Sequence, residues 1–276
     1  MRNCLFLISL ALSSAACSQG GDEAVSLAPE AKPTATTTAS AKATAPGEAQ
    51  PAAFEDDSSK NGGNREFAYS WPRAVSKIPQ LVERFTAERD RELAAQKSDW
   101  ESSFDDAPED CISCISRGFE KEWKVVADLP QWLSLSADLY VYTGGAHGNY
   151  GKTSLVWDKR GQRAMKGADL FNSPVALETA LGARLCEALN EQREKRRGMS
   201  VDPASGDMFD DCPGIDEASV LVGSSNGESF DRIGIYFGPY VAGAYAESDY
   251  ELNFSVTPAV LDAVKPEFAN AFSVKR

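Results

Sequence analysis

The chain's single histidine, His147, stands in the stretch VYTGGAHGNYGK, Val141 to Lys152, with glycines at 144, 145 and 148. An imidazole on such a loop could serve as the base of a Ser-His-Asp triad, provided a carboxylate orients it and a nucleophile lies within reach. The sequence offers no G-x-S-x-G elbow, Walker loop, H-E-x-x-H or S-x-x-K to go with it. One histidine excludes a histidine-rich metal site. The acidic run DPASGDMFDD has the carboxyl density for calcium but not the spacing of an EF-hand loop. Paired carboxylates for glycoside cleavage are a further possibility among 41 acidic residues, and no pattern singles out a pair.

The same stretch reads more simply as a connection between two strands. Gly144 and Gly145 supply the positive φ angles that a tight turn demands. Ala146 leaves room for close backbone approach, and Tyr142 and Tyr150 can pack on either side. In this reading His147 bonds locally or points into a groove. The expectation is a protein that recognises rather than transforms, with no cofactor and no metal. The alternative is a carbohydrate-active or other hydrolase working through His147 or an unrecognised acid pair.

Cys111-Ile112-Ser113-Cys114 is the second motif with chemical potential. A redox C-x-x-C opens a helix after a strand, which depresses the first thiol's pKa. Here it follows the acidic run DDAPED, which raises that pKa. Half of a zinc site is the other reading, but it lacks a second C-x-x-C or a histidine pair. With Cys186 and Cys212 it makes an even set in an exported domain. Two disulfides are expected, and of the three connectivities Cys111–Cys114 with Cys186–Cys212 is favoured.

Export is read from the start of the chain. Met1-Arg2-Asn3 is a short positive region, residues 4–12 are largely apolar, and Ser13-Ser14-Ala15-Ala16 leads to Cys17. That order is a signal peptide over residues 1–16, too brief to span a bilayer. A cysteine after small residues resembles a lipobox, although Ser14 stands where leucine is usual, so Cys17 is expected to carry lipid. Ser18 follows without the aspartate that marks inner-membrane retention, which places the lipoprotein on the outer membrane facing the periplasm.

The full chain has 28 basic and 41 acidic residues and a formal charge of −13. Loss of residues 1–16 removes only Arg2, leaving 27 basic residues and a balance of −14. So acidic a protein does not bind nucleic acid by neutralising phosphates. It meets the membrane only through its anchor, and it suits a cationic partner.

Residues 17–64 are rich in Ala, Thr, Pro, Glu and Lys without apolar periodicity, the composition of a disordered tether. About 47 such residues would span on the order of 40 Å. Beyond it, two α/β regions are expected at 65–200 and 201–276. FAYSWP reads as a strand ended by Pro72, and Pro79 to about Lys97 as a helix. EWKVVADLP, WLSLSADLYVYTGG and YGKTSLVWDKR alternate as an antiparallel meander. Ser173 and Pro174 open a helix carrying Leu177, Leu181, Leu185 and Leu189 every four residues. Lys195-Arg196-Arg197 at its end compensates the helix dipole. ASVLVG, RIGIYFGPY and DYELNFSV are further strands, and Thr257-Pro258 opens a terminal helix broken at Pro266. The fold class is therefore α+β: antiparallel sheets packed with helices, as two interlocked α/β subdomains.

The segment LSADLYVYTGGAHGNYGKTSLVWDKRGQRAMKGADLF resembles an envelope domain of unknown function. That domain occurs in the lysozyme-sensing region of the RsiV anti-sigma factor and beside the catalytic domain of PdaC-type peptidoglycan deacetylases. IGIYFGPYVAGAYAESDYELNFSV resembles its companion domain. The resemblance implies an α/β fold outside the cytoplasm and a sensing or binding module. A lysozyme-like protein or peptidoglycan is the implied partner. The implied binding surface combines Tyr142, Gly144, Gly145, His147, Asn149 and Tyr150 with Phe237, Tyr240 and Tyr245.

Overall fold

A computed structural model describes residues 49–202 and 204–274. The expected signal peptide, Cys17 and most of the expected tether lie outside the described residues. In chain order the elements are β1 (Ala52–Glu55), β2 (Ser58–Lys60), β3 (Gly63–Trp71), α1 (Arg73–Ser76), α2 (Pro79–Asp106), β4 (Arg117–Asp128), β5 (Trp132–Tyr142), β6 (Asn149–Asp158) and β7 (Arg163–Met165). There follow α3 (Pro174–Leu181), α4 (Ala183–Arg197), β8 (Ser219–Gly223), β9 (Arg232–Phe237), β10 (Tyr250–Ser255) and α5 (Pro258–Ala263). Strands thus begin at Ala52, inside the segment whose composition reads as linker. Phe54, the one aromatic there, edges onto Phe67 at 6.1 Å, which anchors β1 to β3.

The first sheet has the order β1-β3-β4-β5-β6-β7, with β2 hairpinned onto β3, and the second has the order β10-β9-β8. All strand pairs are antiparallel except one. β3 and β4 run parallel, Arg65 beside Arg117 through Ser70 beside Glu122, so the first sheet is mixed. The connection between them is α1 and α2, the long crossover that a parallel pair requires.

Alternation sorts the residues of the first sheet by face. Phe67, Tyr69, Trp123, Leu135 and Leu155 turn to α2, where Leu81 and Phe85 bury against them. The Phe85 ring stacks on Trp123 at 4.5 Å. A hydrogen-bond chain runs through this core: Trp123 Nε1–H donates to the Tyr69 hydroxyl at 2.9 Å, and that hydroxyl donates to Glu88 on α2 at 2.9 Å. Burial, then the Glu88 charge, pushes the Tyr69 hydroxyl pKa far up, so it stays a donor. α2 continues beyond Lys97, where its apolar period ends, because Trp100 is buried and donates to the Ile115 carbonyl at 2.8 Å.

The second core fills the space among the second sheet, α3 to α5 and the far end of the first sheet at Val156. Leu177, Leu181, Leu185 and Leu189 all enter it, although the helix that carries them is broken at Gly182, whose φ is +57°. These helices therefore share a core with the second sheet, whereas the sequence division groups them with the first strands. Ser173 caps α3 by accepting from the Ala176 N–H at 3.0 Å, and Thr257 caps α5. Both expected disulfides, Cys111–Cys114 and Cys186–Cys212, are formed. Among the described residues no helix is long and apolar enough to cross a membrane.

Replacing Tyr69 by Phe deletes the acceptor of the buried Trp123 N–H. The expected loss is about 1–3 kcal/mol of stability, the cost of an orphaned buried donor. A denaturant melt of Tyr69→Phe that matches the parent would refute this account of the core.

Candidate functional site

β5 and β6 form a long hairpin in which Tyr140 pairs with Tyr150 and Val141 with Asn149. The connection 143–148 is the loop that carries His147. Gly144 and Gly145 adopt φ of +99° and +95°, as the turn requires. Close backbone approach occurs at Gly148 rather than at Ala146. A Cβ on Gly148 would lie 2.4 Å from the Tyr140 ring.

The loop rests on the C-x-x-C turn. The Tyr142 hydroxyl donates to the Gly145 carbonyl at 2.8 Å, with the Ser113 carbonyl at 3.3 Å. Arg117, itself buried, donates to the Cys114 and Ser116 carbonyls at 2.9 Å and pairs with Asp99 of α2. The Cys111–Cys114 turn thus acts as a buttress of the glycine loop.

The second sheet meets this loop through Tyr245. Its ring stacks on His147, with centroids 3.8 Å apart and planes 21° apart. Its hydroxyl donates to the Gly148 carbonyl at 2.7 Å, and His147 Nδ1–H donates to the same carbonyl at 2.9 Å. Tyr150 meets Tyr245 edge-on at 5.9 Å, and Tyr240 lies tilted against it at 5.6 Å. Loss of water, and then the nearby tyrosines led by Tyr150, raise the Tyr245 hydroxyl pKa. The imidazole is therefore a stacked, locally bonded ring on an exposed loop.

Of the residues singled out in the sequence, His147, Tyr150, Tyr240 and Tyr245 come together. Tyr142, Gly144 and Gly145 shape the loop beneath them. Asn149 is exposed and accepts from the Tyr150 N–H at 3.0 Å. Phe237 does not belong to the surface. It is fully buried in the second core, because the inward period of β9 reaches it before the chain turns at Gly238.

Other participants carried no motif. Tyr140, 40% exposed, lies beside Tyr150, and with Tyr236 they line a cleft of about 220 Å³. Glu120, Glu122, Asp138 and Asp249 line the same cleft. A neighbouring hollow of about 280 Å³ shares Glu120 and Tyr140 and adds Glu55, Asp57 and Glu66. Lys124 and Lys152 bind Asp138 at 2.8 and 2.6 Å. Partial burial opposes ionisation of Asp138, but the hydrogen bonds from Lys124 and Lys152 outweigh it and hold its pKa low. The one signal for these residues was the alternation of β4 and β5, which puts Glu120, Glu122, Asp138 and Tyr140 on one face.

α4 holds the loop that presents Tyr240 and Tyr245. Arg193, completely buried, donates to the Ala242 carbonyl at 2.9 Å and to the Asp210 and Asp211 carbonyls at 3.2 and 2.9 Å. Arg197 pairs with Glu247 at 2.9 Å and Asp210 at 2.6 Å. Arg196 donates to the Glu247 and Asp249 carbonyls and lies over the Tyr250 ring at 4.0 Å. Only Lys195, paired with Glu191 one turn back, plays the surface part expected of the whole cationic run.

Residues 59–150 match the model of a family described as deacetylase PdaC. That stretch holds β3 to β5 and the glycine loop. Among solved structures, the chain is similar to a DUF3298 family protein from Pseudomonas aeruginosa PAO1, at 17% identity over 82% of this chain and 97% of that one, with a TM-score of 0.45. It is similar as well to a DUF3298 member from Bacteroides fragilis, at 15% identity over 80% and 96%, with a TM-score of 0.41. No curated protein matches.

Two outcomes follow from the clamp. Arg193→Leu removes the donor that ties the carbonyls of Asp210, Asp211 and buried Ala242 together and is expected to cost about 1–3 kcal/mol; an unchanged melting temperature would disprove this. Glu247 is pulled up by burial but brought down further by hydrogen bonds from Tyr250 and Arg197, so its pKa lies below the usual value. A carboxyl depressed in the folded state stabilises above its unfolded pKa and loses that contribution as pH falls through its folded one. Acidification below about pH 4 should therefore loosen the Tyr245 loop. His147 ring resonances would report the unstacking, and Glu247→Gln should remove the acid step. An identical titration in that variant would show that Glu247 is not the group involved.

Proposed function

We propose that this chain is a non-enzymatic recognition module of the cell envelope. Lipid on Cys17 would hold it on the outer membrane, facing the periplasm. The tether would let the folded body search the space around its anchor. Its partner is a basic protein of the lysozyme kind.

The observation that carries the reading is the convergence of both sequence motifs on one surface: His147, Tyr150, Tyr240 and Tyr245 beside seven carboxylates. Tyrosines that are exposed, as Tyr240 is, or half-buried, as Tyr150 and Tyr245 are, supply contact area at small entropic cost, and carboxylates around them steer a cationic partner. His147 has its Nδ1 committed to a carbonyl and its face to Tyr245, which suits it to shaping that surface. The match of residues 59–150 to the PdaC family fits an envelope role. Peptidoglycan is the second candidate ligand, since tyrosine faces also pack on sugar rings.

The test is retention of hen lysozyme, and separately of purified peptidoglycan, by the full chain at physiological salt. Glu120→Lys with Tyr140→Ser should weaken lysozyme binding by about 2 kcal/mol, roughly thirtyfold in Kd. Rising salt should weaken it further. Wall retention without lysozyme retention would transfer the surface to a glycan. Retention of neither, or turnover of the wall by the purified protein, would end this reading.

A further inference from the structure

α2 covers β3 and β4 but leaves the far part of the same sheet face open. A cleft of about 670 Å³ lies there, between α2 and the strands β6 and β7. This is the face opposite the tyrosines and carboxylates described above. In volume it falls in the range of small-ligand sites, about 300–1,000 Å³.

Its charge runs against that of the chain. Arg84, Arg91, Lys121 and Lys166 line it, against Glu88 and Asp169, in a protein of net charge −13. Both carboxylates are already engaged. Glu88 pairs with Lys121 through one oxygen and accepts from Tyr69 with the other, and Asp169 accepts the Lys166 backbone N–H at 2.8 Å. Arg84, by contrast, makes no ion pair among the described residues, and Arg91 pairs only with Glu92, which does not line the cleft. Seven residues apart on α2, the two guanidiniums share one helix face about 10 Å apart along the axis. That spacing lies between those of side chains two and four positions apart on an extended peptide, about 7 and 13 Å.

The opposite wall suits a peptide. β7 is the terminal strand of the sheet, and Ala164 and Met165 line the cleft. An extended chain can add to such an edge by main-chain hydrogen bonds. Thr153 offers a hydroxyl, Ser154 holds the rim by accepting the Gly167 N–H at 3.0 Å, and Trp123 and Leu155 give an apolar floor.

We infer that this cleft binds a short acidic peptide segment in extended form, its carboxylates on Arg84 and Arg91 and its backbone along β7. The inference is independent of the tyrosine surface, so either site can fail alone.

The test uses the full chain and dye-labelled acetyl-Glu-Ala-Glu-Ala-Glu-amide, followed by fluorescence anisotropy. Saturable binding is expected. It should weaken tenfold or more in Arg84→Ala/Arg91→Ala and stay unchanged in Glu120→Lys/Tyr140→Ser. If the double variant melts early, Arg84→Gln alone, at an exposed side chain that makes no ion pair among the described residues, makes the same comparison with a smaller loss. The glutamine analogue of the peptide should not bind. Four results would overturn the inference: no saturation at millimolar peptide, parent affinity in a folded arginine variant, equal binding of the glutamine peptide, or full displacement by equimolar inorganic phosphate. The last would identify a simple anion site with no use for a peptide backbone.

Discussion

The grip of α4 on two loops is the constraint from which the candidate surface follows. Arg193 brings a guanidinium into a fully buried position, where loss of water, and then repulsion from Arg197, lower its pKa. Arginine titrates so far above neutrality that it stays charged nonetheless. The only way to hold such a group inside is to satisfy its N–H donors, and carbonyls of 210, 211 and 242 do so. The planar fork fixes both loops at once, which a lysine could not do. Cys186–Cys212 closes the same region covalently, joining α4 to the residue after Asp211. Arg196 and Arg197 then take the backbone and carboxylate of Glu247, two residues beyond Tyr245. The position of half-buried Tyr245 is thereby traced to a buried cation on another element.

The first sheet separates two polarities across the thickness of one backbone layer. Along β4 the sequence Glu120-Lys121-Glu122-Trp123 sends acids to one side and Lys121 with Trp123 to the other. Lys121 is buried over the Trp123 ring at 4.9 Å and paired with Glu88, so its charge belongs to the helix-covered face. The acids opposite it stay at the surface and gather others from β1, β3, β5 and the stretch before β10. A net charge of −13 therefore conceals a dipolar arrangement. Composition alone reports the sum and hides the separation.

Local patterns were legible and long-range choices were not. Alternation marked β4 to β6, and short apolar runs between Gly, Ser and Asn turns marked β8 to β10, where β8 and β9 are buried on both faces. Caps marked α3 and α5, because Ser173 and Thr257 satisfy orphan N–H groups within three residues. The parallel pairing of β3 and β4 left no local trace, since a crossover helix has the same amphipathic period as any other. The start of β1 was hidden by a tether-like composition, and its order comes from the contact of Phe54 with Phe67, well beyond the reach of a local pattern. The break at Gly182 fell inside an unbroken leucine period. Phe237 and Tyr240 belong to one aromatic motif, yet three residues and a turn at Gly238 divide a core side chain from a 52% exposed one.

The site itself was half legible for the same reason. The glycine loop and the second motif each announced themselves by composition, but nothing within either one says that they touch. Their contact is made by one hydroxyl, one stacked ring and one carbonyl that accepts twice. Gly148 supplies that carbonyl because a side chain there would strike Tyr140. Its carbonyl serves two partners on different loops, and the glycine's role is close approach rather than an unusual φ. The histidine that first suggests catalysis is drawn into the same contact. Its ring is held by Tyr245 from the second sheet and by the Gly148 carbonyl of its own loop, so its placement depends on both sheets being folded together. A surface assembled in this way belongs to neither half of the chain alone, which is why the two motifs had to be far apart in sequence and could be recognised only as separate fragments of it.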